Sequence, residues 1–548
     1  MTIRELSIMS IVPLLTLTFS YSASAADVTI NWNDMRQEIV GFGAGCENED
    51  GRKIMALPEP VRTQFYNALF DSVTGIGLNI VRTHQPPDLL DAAGNWNWNS
   101  DSPPIAGKAM DQVTIMQEAQ KRGVTKFWAA PWAAVPMWKQ NPVINGGEAY
   151  GGGGPILRSH YQDYANYQSR FIREYKTRFG IPFMGISVQN EPQFDPGYGG
   201  CPWSGADIRD YIRDYLGPTL ARDSVKISII AAESNWNQVE YIDPTMNDPN
   251  AFKYLDIVAF HQYEGAPFRY NKAFDAGKQV WQSEVSFSGT DAGPGMACHY
   301  ANQIWDNLTN AEVSSWNYWW FLGNGGILLY QNSQLVLTKL FYYIGHYSKF
   351  VRPGFRRITC TPSSIKGPGN GPIGITAFRN PSTGRFAIVV INWDGGKPQP
   401  AITYHFNGIS PAKVTPYLSS GENVNQNIEK MADITVVNGA FSYAVPNISI
   451  ATFVGDGTPS PVENKSALQP ARMLSTAVAI SGGIRLHMPN PVGETAALVD
   501  LSGRTVVRWT VKALTEQTLA VSSSLPRQLY HFRLTGAGKT VSMNVIYR

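Results

Sequence analysis

The sequence predicts an α/β protein: a (β/α)8 barrel with an attached side β-sandwich, followed by a small C-terminal β-sandwich domain. Three observations predict it. Eight short apolar segments alternate with amphipathic stretches between residues 39 and 345. Most of these segments end in polar or aromatic side chains, as expected where barrel strands open onto an active-site face. The chain then changes to alternating β patterns with turn residues up to residue 455, and again in its last 75 or so residues.

The expected barrel strands are 39–43, 79–84, 126–132, 184–190, 226–233, 257–261, 279–284 and 314–320. Between them, residues 60–72 place Val61, Phe65, Leu69 and Phe70 near one face. Residues 161–179 place Tyr164, Tyr167, Phe171 and Tyr175 at i, i+3, i+7 and i+11, a helical spacing. The strand ends carry Arg82 and His84, Trp132, Asn190 and Glu191, Glu233, His261 and Tyr263, Glu284, then Trp319 and Trp320. Core packing alone does not account for that repetition.

Beyond the barrel, residues 346–455 hold the candidate strands 373–378, 386–392, 401–406, 414–418, 434–437 and 448–453, with residues 26–38 adding one more. A polar, Pro-containing linker covers 456–472 and a β domain covers 473–548. At the other end, Arg4, an apolar run over 8–19 and Ala23-Ser24-Ala25 read as a signal peptide over 1–25, cut after Ala25. The mature protein is therefore expected to be secreted or at the cell surface. No later segment is long and apolar enough to predict a membrane span.

Among the 548 residues, 45 Lys and Arg balance 43 Asp and Glu, a net charge of +2. That balance does not suit a nucleic-acid binder. Charged residues make up 16%, below the usual value of about 25%, while 15 Trp, 25 Tyr and 24 Phe bring aromatics to 12%. Many aromatics beside many neutral hydrogen-bonding groups suit a protein that handles sugars. Cys46, Cys201, Cys298 and Cys360 have neither zinc-site spacing nor a spacing that assigns disulfides. There is no H-E-x-x-H, and Gly41-Phe42-Gly43-Ala44-Gly45 lacks the features of a nucleotide loop. No metal or organic cofactor is expected, and a monomer is. Gly151 to Gly154 reads as a flexible loop near the cleft.

Glu191 and Glu284 end the fourth and seventh expected strands, so barrel closure can bring them across the mouth from each other. Two such carboxyls flank a glycosidic bond in retaining enzymes at about 5–5.5 Å and in inverting enzymes at about 6.5–9.5 Å. One must stay protonated and the other ionised, which calls for different surroundings. Arg82 is a candidate to hold the ionised one, and Asn190 to donate to a neighbouring sugar hydroxyl. His261 reads as a hydrogen-bonded wall residue that, with Tyr263, is a candidate for substrate binding, and Glu233 reads as structural. Trp132, Trp203 and Trp320 are candidate sugar-stacking platforms, although Trp-rich cores are common.

Gly41-Phe42-Gly43, Pro131-Trp132 with Pro136 and Trp138-Lys139, Val188-Gln189-Asn190-Glu191-Pro192, Trp281-Gln282-Ser283-Glu284 and Ser348-Lys349-Phe350-Val351-Arg352-Pro353-Gly354 together resemble glycoside hydrolase family 30. The resemblance covers about residues 28–455. It implies a barrel tightly joined to a side β-sandwich and a retaining mechanism, with Glu191 as acid/base and Glu284 as nucleophile. The Pro131 to Lys139 region looks most like the xylanase branches, which implies an endo-acting enzyme on β-1,4-xylan or glucuronoxylan. Other branches cleave β-1,6-glucan, β-1,6-galactan or glucosylceramide. Bacterial glucuronoxylanases of the family bind the glucuronic acid branch with an Arg after the eighth strand. Here that loop reads Phe321-Leu322-Gly323-Asn324-Gly325-Gly326. In the tail, Pro489-Asn490-Pro491, Asp500-Leu501-Ser502-Gly503-Arg504 and Leu525 to Tyr530 resemble the sorting domain of type IX secretion, implying contact with secretion machinery. A non-catalytic surface carbohydrate-binding protein is the reading from another class.

Overall fold

The computed structural model describes residues 26–457, apart from 47, 91–93, 99–108, 148, 150, 290–292, 398 and 400, together with seven strands of the C-terminal region. The expected leader, residues 458–472 of the linker and most of the sorting-like motifs lie outside the described residues. The chain divides into two compact units, residues 1–460 and 461–548.

In the first unit, β1 (Asp27–Glu38) precedes eight barrel strands. These are β2 (Gly41–Cys46), β3 (Ile80–His84), β4 (Lys126–Ala130), β5 (Phe183–Ser187), β6 (Ser228–Asn235), β7 (Leu255–His261), β8 (Gln279–Glu284) and β9 (Ser315–Trp320). Each pairs in parallel with the next, and β9 returns to β2 to close the barrel. The expected (β/α)8 architecture is thus present.

Period-two alternation divides the strand residues between two cores. Ile80, Trp128, Ala130, Ile230, Ile257, Ala259 and Trp281 fill the barrel interior. Val81, Phe127, Ala129, Val258, Phe260 and Val280 pack in the larger core that includes the helices. The helix Tyr161–Phe179 buries Tyr164, Tyr167, Phe171 and Tyr175, the stripe its spacing predicts. It stops at Gly180, whose φ of 70° provides the left-handed cap.

The side domain is a mixed sheet built around β1, which pairs antiparallel with Arg356–Thr361 and parallel with Ile402–Asn407. The sheet folds over on itself. Tyr404 and Phe453 lie on strands far apart in the sheet order, yet their ring centroids are 5.5 Å apart. In the strand Arg385–Asn392, Phe386, Ile388 and Val390 fill this second core. Ala387, Val389 and Ile391 join the barrel core. Both faces are covered, so the strand reads as a continuous apolar run. His346, in the helix Lys339–Ser348, ties the layers through Thr452 at 2.8 Å and Ser419 at 3.0 Å.

The four cysteines are all buried, and Cys201, Cys298 and Cys360 are free thiols. No helix among the described residues is long and apolar enough to cross a membrane. In the second unit, Thr476–Ile480, Gly483–His487 and Glu516–Ala520 form a three-stranded antiparallel sheet. Thr495–Val499, Thr505–Thr510, Leu529–Gly536 and Lys539–Ile546 form a four-stranded one.

Ile388 is fully buried in the core of the side sheet. Ile388→Ala should lower the unfolding free energy by about 2–5 kcal/mol in a denaturant titration. Turnover per folded molecule should be unchanged, because the barrel interior is untouched.

Candidate active site

Alternation along β3 turns Arg82 into the barrel beyond Ile80, and the guanidinium is fully buried there. It lies over the rings of Trp128, Trp132 and Trp319, at 4.9, 4.6 and 5.1 Å from their centroids. In its plane it donates to Glu284 Oε2, to Asn190 Oδ1 at 2.6 Å and to Glu233 Oε1 at 2.7 Å. Aromatic faces and acceptors together fix the planar cation in one orientation.

Three carboxyls surround it. Strict alternation from Trp281, which faces the barrel interior, assigns Glu284 to the opposite face. The ladder slips there, with Phe260 pairing Gln282 and His261 pairing Glu284, and the carboxylate enters the interior. Tyr263 donates to Glu284 Oε1 at 2.8 Å. Glu233 is turned inward by a similar slip in β6, where Ala232 pairs Ala259 and Ser234 pairs Phe260, and by its own φ of 58°. Glu191 follows β5 with a φ of 43°. Its Oε1 is 3.2 Å from His261 Nδ1. The other ring nitrogen, Nε2, lies 3.6 Å from Glu233 and 3.8 Å from Glu284.

One oxygen each of Glu191 and Glu284 and one nitrogen of His261 lie within 4.8 Å of one another. Among the described residues these are also the donors spaced to hold a metal ion. Burial pulls the His261 imidazole down, but the charge of Glu284 and the hydrogen bonds to Glu191 and Glu233 push it up to about 9. Burial holds the Glu284 carboxyl above its ordinary value, against His261 and Arg82, which pull it down. Glu233 is held below its ordinary value because Arg82 and His261 outweigh its burial. Three carboxyls thus face two cations, and the cluster is neutral when it carries one further proton. That is the state needed by a carboxylic acid working beside a carboxylate.

Residues 39–351 match the family model described as the glycosyl hydrolase family 30 TIM-barrel domain. The chain belongs to this family. Over 446 residues, 79% of this chain and 92% of the relative, the hydrolase is 26% identical to glucuronoxylanase XynC of Bacillus subtilis (strain 168). It is also 26% identical to putative glucosylceramidase 1 of Caenorhabditis elegans, over 67% of this chain and 76% of that one. Among solved structures it resembles the family 30 subfamily 8 xylanase Xyn30A of Clostridium acetobutylicum, with a TM-score of 0.64 and 27% identity over 78% of this chain and 99% of that one.

Arg82, Asn190, His261 and Tyr263 all join the two glutamates. Asn190 presents its side-chain carbonyl oxygen to Arg82, which fixes the orientation of its amide. Two of the expected platforms are corrected. Trp203 packs on Tyr161 and Tyr211, at 5.2 Å from each, and is core. Trp132 is 6% exposed, its ring covered by Arg82, His84 and Trp319. It holds the cation rather than offering an open face. Trp320 is half-buried, with Lys53 Nζ 5.6 Å from its ring centroid. Trp319, named from the sequence as a strand-end residue but not as a platform, stands closer to the cluster. Gly45 makes room for it: a Cβ there would be 2.7 Å from Trp319 O and 3.1 Å from its ring.

The loop at Gly151–Gly154, expected to be flexible, is hydrogen-bonded to the loop after β5. Gly153 N–H donates to both oxygens of Asp195, at 3.0 and 2.8 Å. Buried Lys139 donates to Val143 O at 2.7 Å and to Gly200 O at 2.5 Å. The loops after β4 and β5 are thereby braced into one wall. After β9, the loop at Phe321 is anchored by its N–H to Asp50 Oδ2 at 2.9 Å.

Because folding raises the His261 midpoint from 6.5 to about 9, the folded state holds that proton more tightly. The resulting stabilisation is complete below pH 6.5 and lost as pH rises through about 9. The melting temperature of the hydrolase should therefore fall across this window in scanning calorimetry. His261→Asn should flatten the fall.

Proposed function

We propose that this hydrolase is an exported, endo-acting enzyme that cleaves β-1,4-xylan with retention of configuration, using Glu284 as nucleophile and Glu191 as acid/base. The observation that carries the mechanism is the approach of the two carboxylates within 4.8 Å. It is closer to the short separation of retaining enzymes, about 5–5.5 Å, than to the roughly 6.5–9.5 Å of inverting ones. Arg82 and Tyr263 each hold one oxygen of Glu284, which aims the carboxylate and favours its charge.

In the first step a Glu284 oxygen attacks the anomeric carbon while Glu191 gives its proton to the departing glycosidic oxygen. The glycosyl–Glu284 ester forms and the glycosidic bond breaks. In the second step Glu191 takes a proton from water, which attacks the same carbon and frees Glu284. His261 orients Glu191 through the 3.2 Å contact and keeps positive charge beside the site at neutral pH.

Xylan as substrate is supported by the relatives named for xylan hydrolysis. The loop over 321–326 contains no Arg, so dependence on a glucuronic acid branch is not expected. Export is supported by the Arg4 to Ala25 pattern, and the tail's motifs suit a sorting domain read by secretion machinery.

Glu284→Ala and Glu191→Ala should each lower kcat on xylan by a factor on the order of a thousand or more, with folding intact by circular dichroism. Near-normal turnover in either folded variant would remove that residue from the mechanism. Proton NMR of early products should show the β-anomer. A screen of xylan, glucuronoxylan, β-1,6-glucan and β-1,6-galactan with product sizing should give a ladder of xylo-oligosaccharides from the first two. Release from either β-1,6 polymer alone would replace the substrate assignment.

A further inference from the structure

Two large rings in the loop after Glu191 are left out of the core. Phe194 is 48% exposed and Tyr198 is 56% exposed. Neither sits on a loose tip. The N–H of Phe194 donates to Glu191 O at 2.9 Å, which places this residue one tight turn from the acid/base. Asp195, next to it, accepts the N–H of Gly153. Just past Tyr198, Gly199 bridges Asn145, and Gly200 is bonded through its N–H to Ile144 O at 3.0 Å and through its carbonyl to Lys139. The segment carrying the rings is therefore tied down on both sides of Tyr198. Tyr198 also feels the catalytic charges: partial burial of its hydroxyl, then Glu191 and Glu284, push the phenol up to about 12.

Apolar rings held rigidly in water, beside a reaction centre, mark a surface that a ligand covers. The apolar C–H face of a pyranose is a suitable cover. An acid/base at Glu191 would protonate the leaving-group oxygen, so groups beside it, Phe194 one turn on among them, are placed to meet the departing part of the chain. We propose that Phe194 and Tyr198 form the binding ridge for the leaving-group side of the β-linked pyranose chain, and so set the enzyme's preference for long substrates. This rests on the reading of Glu191 as acid/base.

The test compares wild type, Phe194→Ala, Tyr198→Ala and Tyr198→Phe on two substrates. One is a hexasaccharide the wild type cleaves, xylohexaose on the present reading. The other is β-xylobiosyl fluoride, whose leaving group has no ring to stack. Each Ala variant should lose about tenfold in kcat/KM on the hexasaccharide and change by less than about twofold on the fluoride. Tyr198→Phe, which keeps the ring, should stay near wild type on both. Equal losses on both substrates, or no loss on the hexasaccharide, would overturn the ridge. Failure of the acid/base reading would be separate: Glu191→Ala would then retain its rate on the hexasaccharide. Failure of the xylan reading would show as wild-type inertness toward xylohexaose, and the comparison would pass to the β-1,6-linked hexasaccharide with the matching disaccharide fluoride.

Discussion

The buried guanidinium of Arg82 is the constraint on which the site depends. A cation removed from water is tolerated only when acceptors meet it. Here Glu284, Glu233 and Asn190 do so, from three different strands or strand ends. Three indole rings cover its faces. Each partner is thereby located by the others. The Glu284 carboxylate is aimed, the side-chain carbonyl of Asn190 is fixed, and Glu233 is held below its ordinary value although burial pulls the other way. The arrangement at the barrel mouth is largely the consequence of one positive charge in a small, buried space.

His261 gives this arrangement its second cation. It touches Glu191 on one nitrogen and approaches Glu233 and Glu284 on the other. Glu233 reads as structural from the sequence, and its contacts make that role specific: it shares its carboxylate between Arg82 and His261. The cluster's charge count leaves room for one proton among carboxyls that share a pocket. Around it, the loops after β4 and β5 are joined into one wall by Lys139 and Asp195.

Much of this was readable along the chain. Barrel strands are buried on both sides, so eight apolar runs of similar length stand out, and β8 occupies the expected residues. Arg82, Asn190, His261 and Tyr263 were legible as strand-end polar groups. What was not legible follows from two physical causes. Indole rings are equally suited to a core and to a sugar face, so Trp203 and Trp132 could not be sorted until their neighbours were known. Loop bracing is long-range: nothing near Gly153 in the chain announces that Asp195, 42 positions away, accepts its N–H.

The sequence by itself determined the architecture, because period-two and period-3.6 apolar patterns are local consequences of which faces must leave water. It also determined the set of chemical groups at the barrel mouth. Only the tertiary structure decided which way two of the glutamates point. Simple alternation sends Glu284 and Glu233 away from the interior, and one-residue slips in the ladders turn both inward. A slip of that kind is a property of paired strands. It is stabilised by partners distant in the chain, Arg82 above all, and no single segment records it.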